Sequence, residues 1–549
     1  MQFGSRRNQL LWPFWLVLVA FIVPHPATGA EVLRPVGVLS VTNADRWLND
    51  ILYLTRSVGR PEVGGILQMM TGDLLKEVDR TKPAGVYVLL VDDKPRGVGF
   101  IPVKDFKALL DKVSSHFHIE AEQLDGSIYR LGTPRPAYLK QANRWVFFSD
   151  HAEYLKQVPE DPAKLLDGLD KKYDIALRVN FQNIPKALRD LAVERLTEGI
   201  RIGLDPNRPE NADVDPELAK QIETTFVSLA TQLIQQTAQL TLGLGVDAQA
   251  KHLRFDFEVT AVKGSQLAAQ FDNLAGTKTS FPGILTSDAA ICANAGFKLS
   301  PQDIDQMTKL VRLLKNQAVK ELQKDPTAPP QLKKILEQFA DSVLGTIASG
   351  TFDAAAAVQV ADGSLKFVAA AQTADGKAVG KTFRDLYELA KSDPNVPEIK
   401  FNAETFQKTD LHTFSVPIPE NEADTRRVLG NELNVVIGTG TKAVYLAFGN
   451  DCIALLKNAI SKSSQIGPQP VPAARIRVAI KPLIFFLASV NDKDEHLPAI
   501  AKAIKTVNGD DSIVFTIEAI PHGMRCRLEI HDAVLVIAGK INRLERPNP

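Results

Sequence analysis

The sequence predicts an α+β fold made of two duplicated modules, each a mostly antiparallel, curved sheet with helices packed on one face. The first observation behind this prediction is a strand, helix and strand series that occurs twice at a constant offset. Its first copy is Phe147-Phe148-Ser149-Asp150, Leu155-Lys156 and Ile175, and its second is Phe448-Gly449-Asn450-Asp451, Leu456-Lys457 and Ile476. The second observation is a set of alternating apolar and polar segments joined by turn residues, which is typical of hairpins.

A later hairpin repeats at a different offset. Arg254-Phe255-Asp256-Phe257 aligns with Arg527-Leu528-Glu529-Ile530. The change of offset indicates an insertion in the first module, which we place in a helical segment at about 184–236. The predicted organisation is therefore a signal peptide at 1–30, module 1 at 31–275 and module 2 at 287–549. A cluster of Gly, Thr, Ser and Pro marks the boundary between the modules.

Module 1 is expected to begin with a strand at 36–42, because apolar residues alternate there. Asn43 is a suitable N-cap for the helix that follows. The later predictions are a hairpin at 85–90 and 97–103, a helix at 104–113, a hairpin at 116–122 and 127–131, and a strand at 145–148. We expect Asp150 to cap the next helix, followed by a strand at 175–180 and helices at 184–202 and 217–236. A closing hairpin is expected to pair one strand with another, the first through Leu240, Leu242 and Leu244 and the second through Leu253, Phe255, Phe257 and Val259.

Module 2 repeats this order. Its first strand is predicted at 289–295, and Ser300-Pro301 begins a helix, because Ser is a good cap and Pro suits the first turn. A hairpin at 353–360 and 365–372 follows, and Asp451 is expected to act as a cap like Asp150. The closing hairpin runs through Ile513, Phe515 and Ile517 and returns through Leu528 and Ile530.

Composition limits the function classes. The chain has 549 residues, 45% of them hydrophobic and 23% charged, which are ordinary values for globular proteins, and its length suits two or more domains. Its 64 basic and 64 acidic residues give no net charge and form no long like-charged run. Nucleic-acid binding needs a basic surplus on some face, so it is not expected.

The N-terminus has the pattern of an export signal. Arg6 and Arg7 precede an apolar segment at 10–23, which is too short for a membrane span, and small residues follow. We expect the general secretory route, cleavage after Ala30 and no membrane span in the mature chain. The alternative is that the segment is retained as a membrane anchor. The predicted location is periplasmic or extracellular.

Three cysteines lie beyond the signal, at Cys292, Cys452 and Cys526. Such a small number does not build a disulfide framework, so we expect small buried side chains. A disulfide between Cys292 and Cys526 would require neighbouring strands.

The best candidate for a metal site lies at 116–122. In a strand, alternation would place His116, His118, Glu120 and Glu122 on one face, and two imidazoles with a carboxylate can hold zinc. The simpler interpretation is the polar face of a hairpin strand. A second oxygen-rich segment could bind calcium, although it lacks the spacing of a standard calcium loop. Its residues are Asp205, Asn207, Glu210, Asp213 and Asp215.

The common catalytic motifs are absent, including Gly-x-Ser-x-Gly, His-Glu-x-x-His and the phosphate loop. The chain resembles the large, poorly characterised exported two-module proteins of planctomycete-type bacteria. The resemblance rests on the signal peptide, the first strand and helix, and the Gly-Val-Asp and Leu-Arg residues of the hairpin at 245–254. It implies no activity, site residue or cofactor.

Three functions follow as hypotheses. The first is an exported, non-catalytic binding or structural protein with an unknown protein or ligand partner. The second is a carrier of an apolar ligand, such as a lipid, in a groove between sheet and helices, because helices at 226–234 and 304–322 carry apolar stripes. Packing of these stripes in the core is the alternative. The third is a metal-assisted hydrolase that uses His116 and His118.

Overall fold

A computed structural model describes the chain from residue 33 to residue 545, except 125, 133–135, 205–215, 326–327, 362, 492–493 and 495. Neither the predicted signal peptide nor the acidic loop from Asp205 to Asp215 is among the described residues. The rest is a mixed fold of helices and antiparallel strands, as the sequence predicted. None of the described helices is both long and apolar enough to span a bilayer.

The described strands are as follows: β1 (Gly37–Val41), β2 (Ala84–Val91), β3 (Lys94–Pro102), β4 (Ala121–Gln123), β5 (Ile128–Leu131), β6 (Ala137–Ala142), β7 (Trp145–Ser149), β8 (Ile175–Asn180), β9 (Thr237–Asp247), β10 (His252–Ala261), β11 (Lys278–Thr279), β12 (Ile291–Lys298), β13 (Thr351–Ala361), β14 (Ser364–Gln372), β15 (Lys400–Phe406), β16 (Thr409–Pro417), β17 (Glu432–Thr439), β18 (Ala443–Phe448), β19 (Gln469–Pro470), β20 (Ala474–Ala479), β21 (Ser512–Ile520) and β22 (Gly523–His531).

The described α-helices are as follows: α1 (Ala44–Ser57), α2 (Pro61–Gly72), α3 (Phe106–Phe117), α4 (Leu169–Lys172), α5 (Lys186–Gly203), α6 (Pro216–Gln236), α7 (Gln266–Asp272), α8 (Pro301–Lys324), α9 (Pro330–Ala348), α10 (Gly376–Ala390), α11 (Ala423–Leu429), α12 (Cys452–Ile466), α13 (Ile480–Val490), α14 (His496–Ile504) and α15 (Asp532–Glu545).

Twenty of these strands form one antiparallel sheet. Neighbouring strands follow in the order β4-β5-β6-β7-β3-β2-β1-β8-β9-β10-β22-β21-β20-β12-β13-β14-β18-β17-β16-β15. The join between β10 and β22 divides the sheet into two halves of ten strands. Read inward from either edge, the strands of each half follow in the same relative chain order.

Local sequence explains where many elements begin and turn. Ser300 and Asp303 form a reciprocal capping box at the start of α8, with Pro301 in the first turn, as the sequence predicted. Asp92 and Asp93 both adopt positive φ between β2 and β3, which is the backbone that a two-residue hairpin turn requires. The closing hairpin of β9 and β10 forms as predicted, and its register places Leu244 opposite Phe255.

The prediction that helices pack on one face is wrong for the second half. Leu456 of α12 packs against Leu411, Val436 and Ala447, which share one face of β16, β17 and β18. On α10, Gly380 lies against Thr439, whose side chain is on the other face of β17. Because side chains alternate along a strand, the two helices lie on opposite faces of this part of the sheet.

Helices from one half pack against helices from the other. Near the end of the chain, α15 contacts α1, and Arg543 Nη2 donates to the carbonyl oxygen of Gly59 at 2.7 Å. On the other side, Gln270 of α7 donates to Asp303 of α8 at 3.2 Å. The segment between α7 and β12 is also anchored, because Phe281 and Ile284 are buried in the core under α12.

Candidate apolar ligand site

The two halves of the sheet meet where β10 pairs with β22, and Phe255 lies directly opposite Leu528. On the face that carries Phe255, register aligns apolar side chains into rows that run across the strands. The first row is Leu39, Leu177, Leu242, Phe257, Cys526 and Ile517. The second row is Ile175, Leu244, Phe255, Leu528, Phe515 and Ile476.

These rows are open to solvent. Large side chains at the centre of a sheet are normally buried, yet five of them are 36–45% exposed: Leu39, Ile175, Leu242, Phe255 and Ile476. A cavity of about 470 Å³ lies over this surface. It is lined by ten of the twelve row residues together with Ala176, Gly243 and Asp256, which lie between the rows. Its volume falls in the usual range for small-molecule sites.

Helices cover the surface at one end of these strands. Leu267, Ala268 and Phe271 of α7 pack against Phe257, Val259 and Met524. The apolar stripes of two other helices are only partly buried, and Ile234 of α6 does pack in the core. Phe226, Leu229 and Leu233 of α6 and Met307, Leu310 and Leu314 of α8 are all 40–55% exposed.

The opposite face of the same strands is polar and closed. Tyr173 is buried there, and its hydroxyl contacts Asp256 at 2.9 Å and Glu258 at 3.1 Å. Arg527 donates to both oxygens of Asp256, and Arg525 donates to Glu258. Lys172 completes the set with an ion pair to Glu258 at 2.6 Å. These residues form the seam cluster, which joins the two halves.

The seam carboxylates stay charged because they are paired. Burial alone would raise the pKa of Asp256, but the hydrogen bond and charge of Arg527 outweigh burial and hold that pKa below its usual value. Burial likewise opposes ionisation of Glu258, and Lys172 with Arg525 lowers its pKa overall. The charges of the cluster are therefore paired, and its role is structural: it holds the two halves of the sheet together.

A second acidic pair lies near the start of β8. Arg46 Nε is 2.9 Å from Asp174 Oδ1 and 3.5 Å from Asp50 Oδ2, so one cation faces two carboxyl groups. Asp174 also accepts the backbone N–H of Val246 at 2.6 Å. Burial and the negative charge of Asp174 raise the pKa of Asp50 to about 7. This pair ties α1 to the strand that begins with the groove residue Ile175.

The predicted strand at 116–122 is wrong. His116 lies in the last turn of α3, and His118 is its left-handed C-cap with φ 54° and ψ 44°. A helix ends where the sequence analysis placed strand alternation, so His116, His118 and Glu120 do not share a strand face; β4 begins only at Ala121. Within the described part of the chain, no group of three or more His, Cys, Asp or Glu side chains is arranged to hold a metal ion.

The expected aspartate caps also differ from the structure. Asp150 precedes a short 3-10 helix at Ala152–Leu155 without capping it, since His151 is the N-cap residue. Asp451 is the N-cap residue of α12, but it adopts φ 56° and its side chain makes no capping hydrogen bond. Instead it pairs with Lys366 at 3.4 Å.

The three cysteines are unpaired. Cys526 lies in the first apolar row, whereas Cys292 alternates with the row-facing Ala293 and so projects from the opposite face of the sheet. Cys452 is buried in the core of the second half, as expected for a small apolar side chain. Burial raises the pKa of all three thiols.

The sequence predicted a groove between sheet and helices, whereas the exposed apolar surface lies on the sheet face itself. The pairing of β10 with β22 explains why the other face is the covered one. Asp256 and Glu258 on one strand match Arg527 and Arg525 on the other, so the polar side chains have partners and can be covered. The apolar face of these two strands is then left open.

No protein-family model matches the chain, and no curated protein matches it either. A solved structure titled "Structure of crystal form IV of TP0453" is similar over 41% of this chain and 77% of its own, with 9% sequence identity and a TM-score of 0.22. That TM-score is too low for the likeness to support a shared fold or a function.

Proposed function

We propose that this chain is a non-catalytic binding protein that holds an apolar ligand, such as a lipid, against the central face of its sheet. The observation that carries the proposal is the pair of apolar rows, which stay exposed beneath a cavity of about 470 Å³. Exposed apolar surface costs about 25 cal/mol for each Å² left in water. A contiguous apolar patch of this kind marks a binding surface on a soluble domain.

The contrast between the two faces of the same strands supports this choice. The polar side chains are covered and paired in the seam cluster, whereas the apolar ones are left open. In most folded proteins the apolar side chains are the buried ones and the polar side chains face water, because apolar surface is unfavourable in water. A bound apolar molecule would complete the packing of the rows.

Duplication of one ancestral module is part of the proposal. The matching strand order of the two halves supports it, and so does the pairing of β10 with β22. The sequence alignment makes Phe255 equivalent to Leu528, and these two residues face each other across the join. The groove would then lie on the approximate two-fold axis that relates the copies.

Export is proposed as well, since the N-terminal pattern and the resemblance to exported planctomycete-type proteins both point to it. A mature protein that begins at Glu31 would support cleavage after Ala30, and its mass or N-terminal sequence in the periplasm or medium provides the test. A protein retained in the cytoplasm would contradict it.

Binding is tested with the full mature chain and a fluorescent fatty-acid analogue. We expect the probe to bind, and Leu242→Asp to weaken its affinity at least tenfold, because the change places a charge in the apolar wall of the groove. Phe339→Asp is the matched control, since Phe339 is 55% exposed on α9. Absence of probe binding, or equal affinity in both variants, would overturn the proposal.

The rate of cysteine labelling tests the same proposal without any mutation. Cys526 lies within the lining of the cavity, and Cys292 is on the other face. Bound ligand should slow maleimide labelling of Cys526 and leave the rate at Cys292 unchanged. Equal labelling of Cys526 with and without ligand would place the ligand elsewhere.

A further inference from the structure

The cavity follows the furrow between the two apolar rows. Residues two apart on a strand are separated by about 6.7 Å, so the rows stand side by side at that spacing. Between them the lining consists of Ala176, Gly243 and Asp256, each of which sits between two row residues on its own strand. The side chains of Ala176 and Asp256 point away from the furrow and Gly243 has none, so the bottom of the furrow is backbone and its walls are apolar side chains.

The furrow is long in relation to its width. It passes from Leu39 on β1 to Phe515 on β21, which spans six neighbouring strands. At the ordinary strand spacing this is about 24 Å. Every side chain in the two rows is apolar, so no hydrogen-bonding or charged side chain is available to orient a polar group along this path.

We infer that the ligand is a long, unbranched acyl chain that lies in the furrow, across the strands. The inference rests on the proposed function and names the class of ligand for the same site. A straight chain gains burial along the whole furrow with each added methylene, whereas a fused ring system contacts only a short part of it. A methyl-branched chain is wider than a straight one, so it would lie less deeply between rows that stand about 6.7 Å apart.

The test compares saturated fatty acids of increasing length, from decanoate to stearate, with phytanate and cholesterol as displacers of the fluorescent analogue. Affinity should rise about three- to fourfold per added methylene, as expected from the burial of one such group. Stearate should bind at least tenfold more tightly than phytanate, whose apolar surface is similar but branched. Cholesterol should displace the probe weakly.

The wall itself is tested with Phe255→Ala, which removes one side chain of the second row. The preference for stearate over phytanate should fall below threefold in this variant and stay unchanged in Phe339→Ala. Leu244→Ala provides a second row variant with the same expectation.

Each outcome separates the inference from the proposed function. Two results would contradict the inference alone. In the first, phytanate or cholesterol binds as tightly as stearate; in the second, Phe255→Ala and Leu244→Ala leave the preference for stearate over phytanate unchanged. Either result would show that the furrow does not distinguish a straight acyl chain from other apolar molecules. If no apolar molecule binds or displaces the fluorescent analogue, both the inference and the proposed function are wrong.

Discussion

Arg527 and Asp256 fasten the two halves of the sheet with two parallel hydrogen bonds, from Nε to Oδ1 at 2.7 Å and from Nη2 to Oδ2 at 2.8 Å. The Asp256 side chain is fully buried, and Arg527 is mostly so. This geometry is the bidentate pairing that suits arginine and carboxylate. It joins strands that are more than two hundred residues apart in the chain.

Breaking this pair should destabilise the whole protein. Arg527→Met leaves a buried carboxylate without its main partner, so the free energy of unfolding should fall by about 3 kcal/mol. Lys366→Met is the control, because its partner Asp451 is exposed, and it should cost less than about 1 kcal/mol. Urea denaturation of both variants provides the comparison. Similar losses of stability in the two variants would show that the Arg527–Asp256 pair does not hold the two halves together.

The Asp50 and Asp174 pair predicts a pH dependence. Because burial and Asp174 raise the pKa of Asp50 from 3.8 to about 7, folding favours its protonated form. The stability from this group is therefore full below pH 3.8 and is lost as the pH rises towards 7. Asp50→Asn should be more stable than the natural protein at about pH 8, by about 1 to 3 kcal/mol, and similar to it near pH 4.

Denaturation at several pH values measures this difference. Asp305→Asn, on the exposed surface of α8, controls for the loss of one negative charge. A gap between Asp50→Asn and the natural protein that does not widen with rising pH would contradict the prediction.

Gly539 lies where α15 approaches the end of α1. A Cβ at this position would stand 2.2 Å from the carbonyl oxygen of Val58, which is backbone and cannot rotate away. We expect Gly539→Ala to cost about 1 to 3 kcal/mol by overpacking. Gly199→Ala in α5 has open space around it and should stabilise by up to about 1 kcal/mol. Thermal unfolding of the two variants tests this prediction. Stability changes of the same sign in both variants would contradict the close approach of α15 to Val58.

His118 offers a test of the metal hypothesis. It holds a left-handed backbone conformation at the end of α3, which glycine adopts without strain. His118→Gly should therefore keep or raise stability, by up to about 1 kcal/mol. A zinc site would give the opposite result, with zinc stabilising the natural protein and not the variant. Thermal unfolding with and without zinc distinguishes the two.

Much of the fold could be predicted from local sequence signals. The Ser300 capping box, the turn at Asp92 and Asp93 and the alternation in the closing hairpins depend on neighbours in the sequence, so they could be read directly. The prediction at His116 failed because a helix C-terminus and a polar strand share similar residues over a few positions. The segment stays helical because it continues a helix whose apolar face, with Phe106, Leu109 and Leu110, is buried.

The groove could not be predicted from single strands. Whether Leu242 or Phe255 is buried depends on how far a helix extends over the sheet, and α7 covers this face only near Phe257, Val259 and Met524. Alternation told us that these side chains share a face, but not whether that face is covered. The pairing of β10 with β22 could not be predicted either, because nothing in the residues of two strands so far apart in the chain shows that they are neighbours.

The contact between α1 and α15 sets an order of events during synthesis. The first described helix packs against the last described one, and Gly59 near the end of α1 accepts a hydrogen bond from Arg543. Strand β22, which completes the centre of the sheet, is also among the last segments to emerge. Until it does, the edge of β10 has no partner strand, so the centre of the sheet closes only when nearly all of the described chain is available. Such long-range closure makes folding slow and exposes the nascent chain to aggregation, so its maturation calls for protection until the C-terminus arrives.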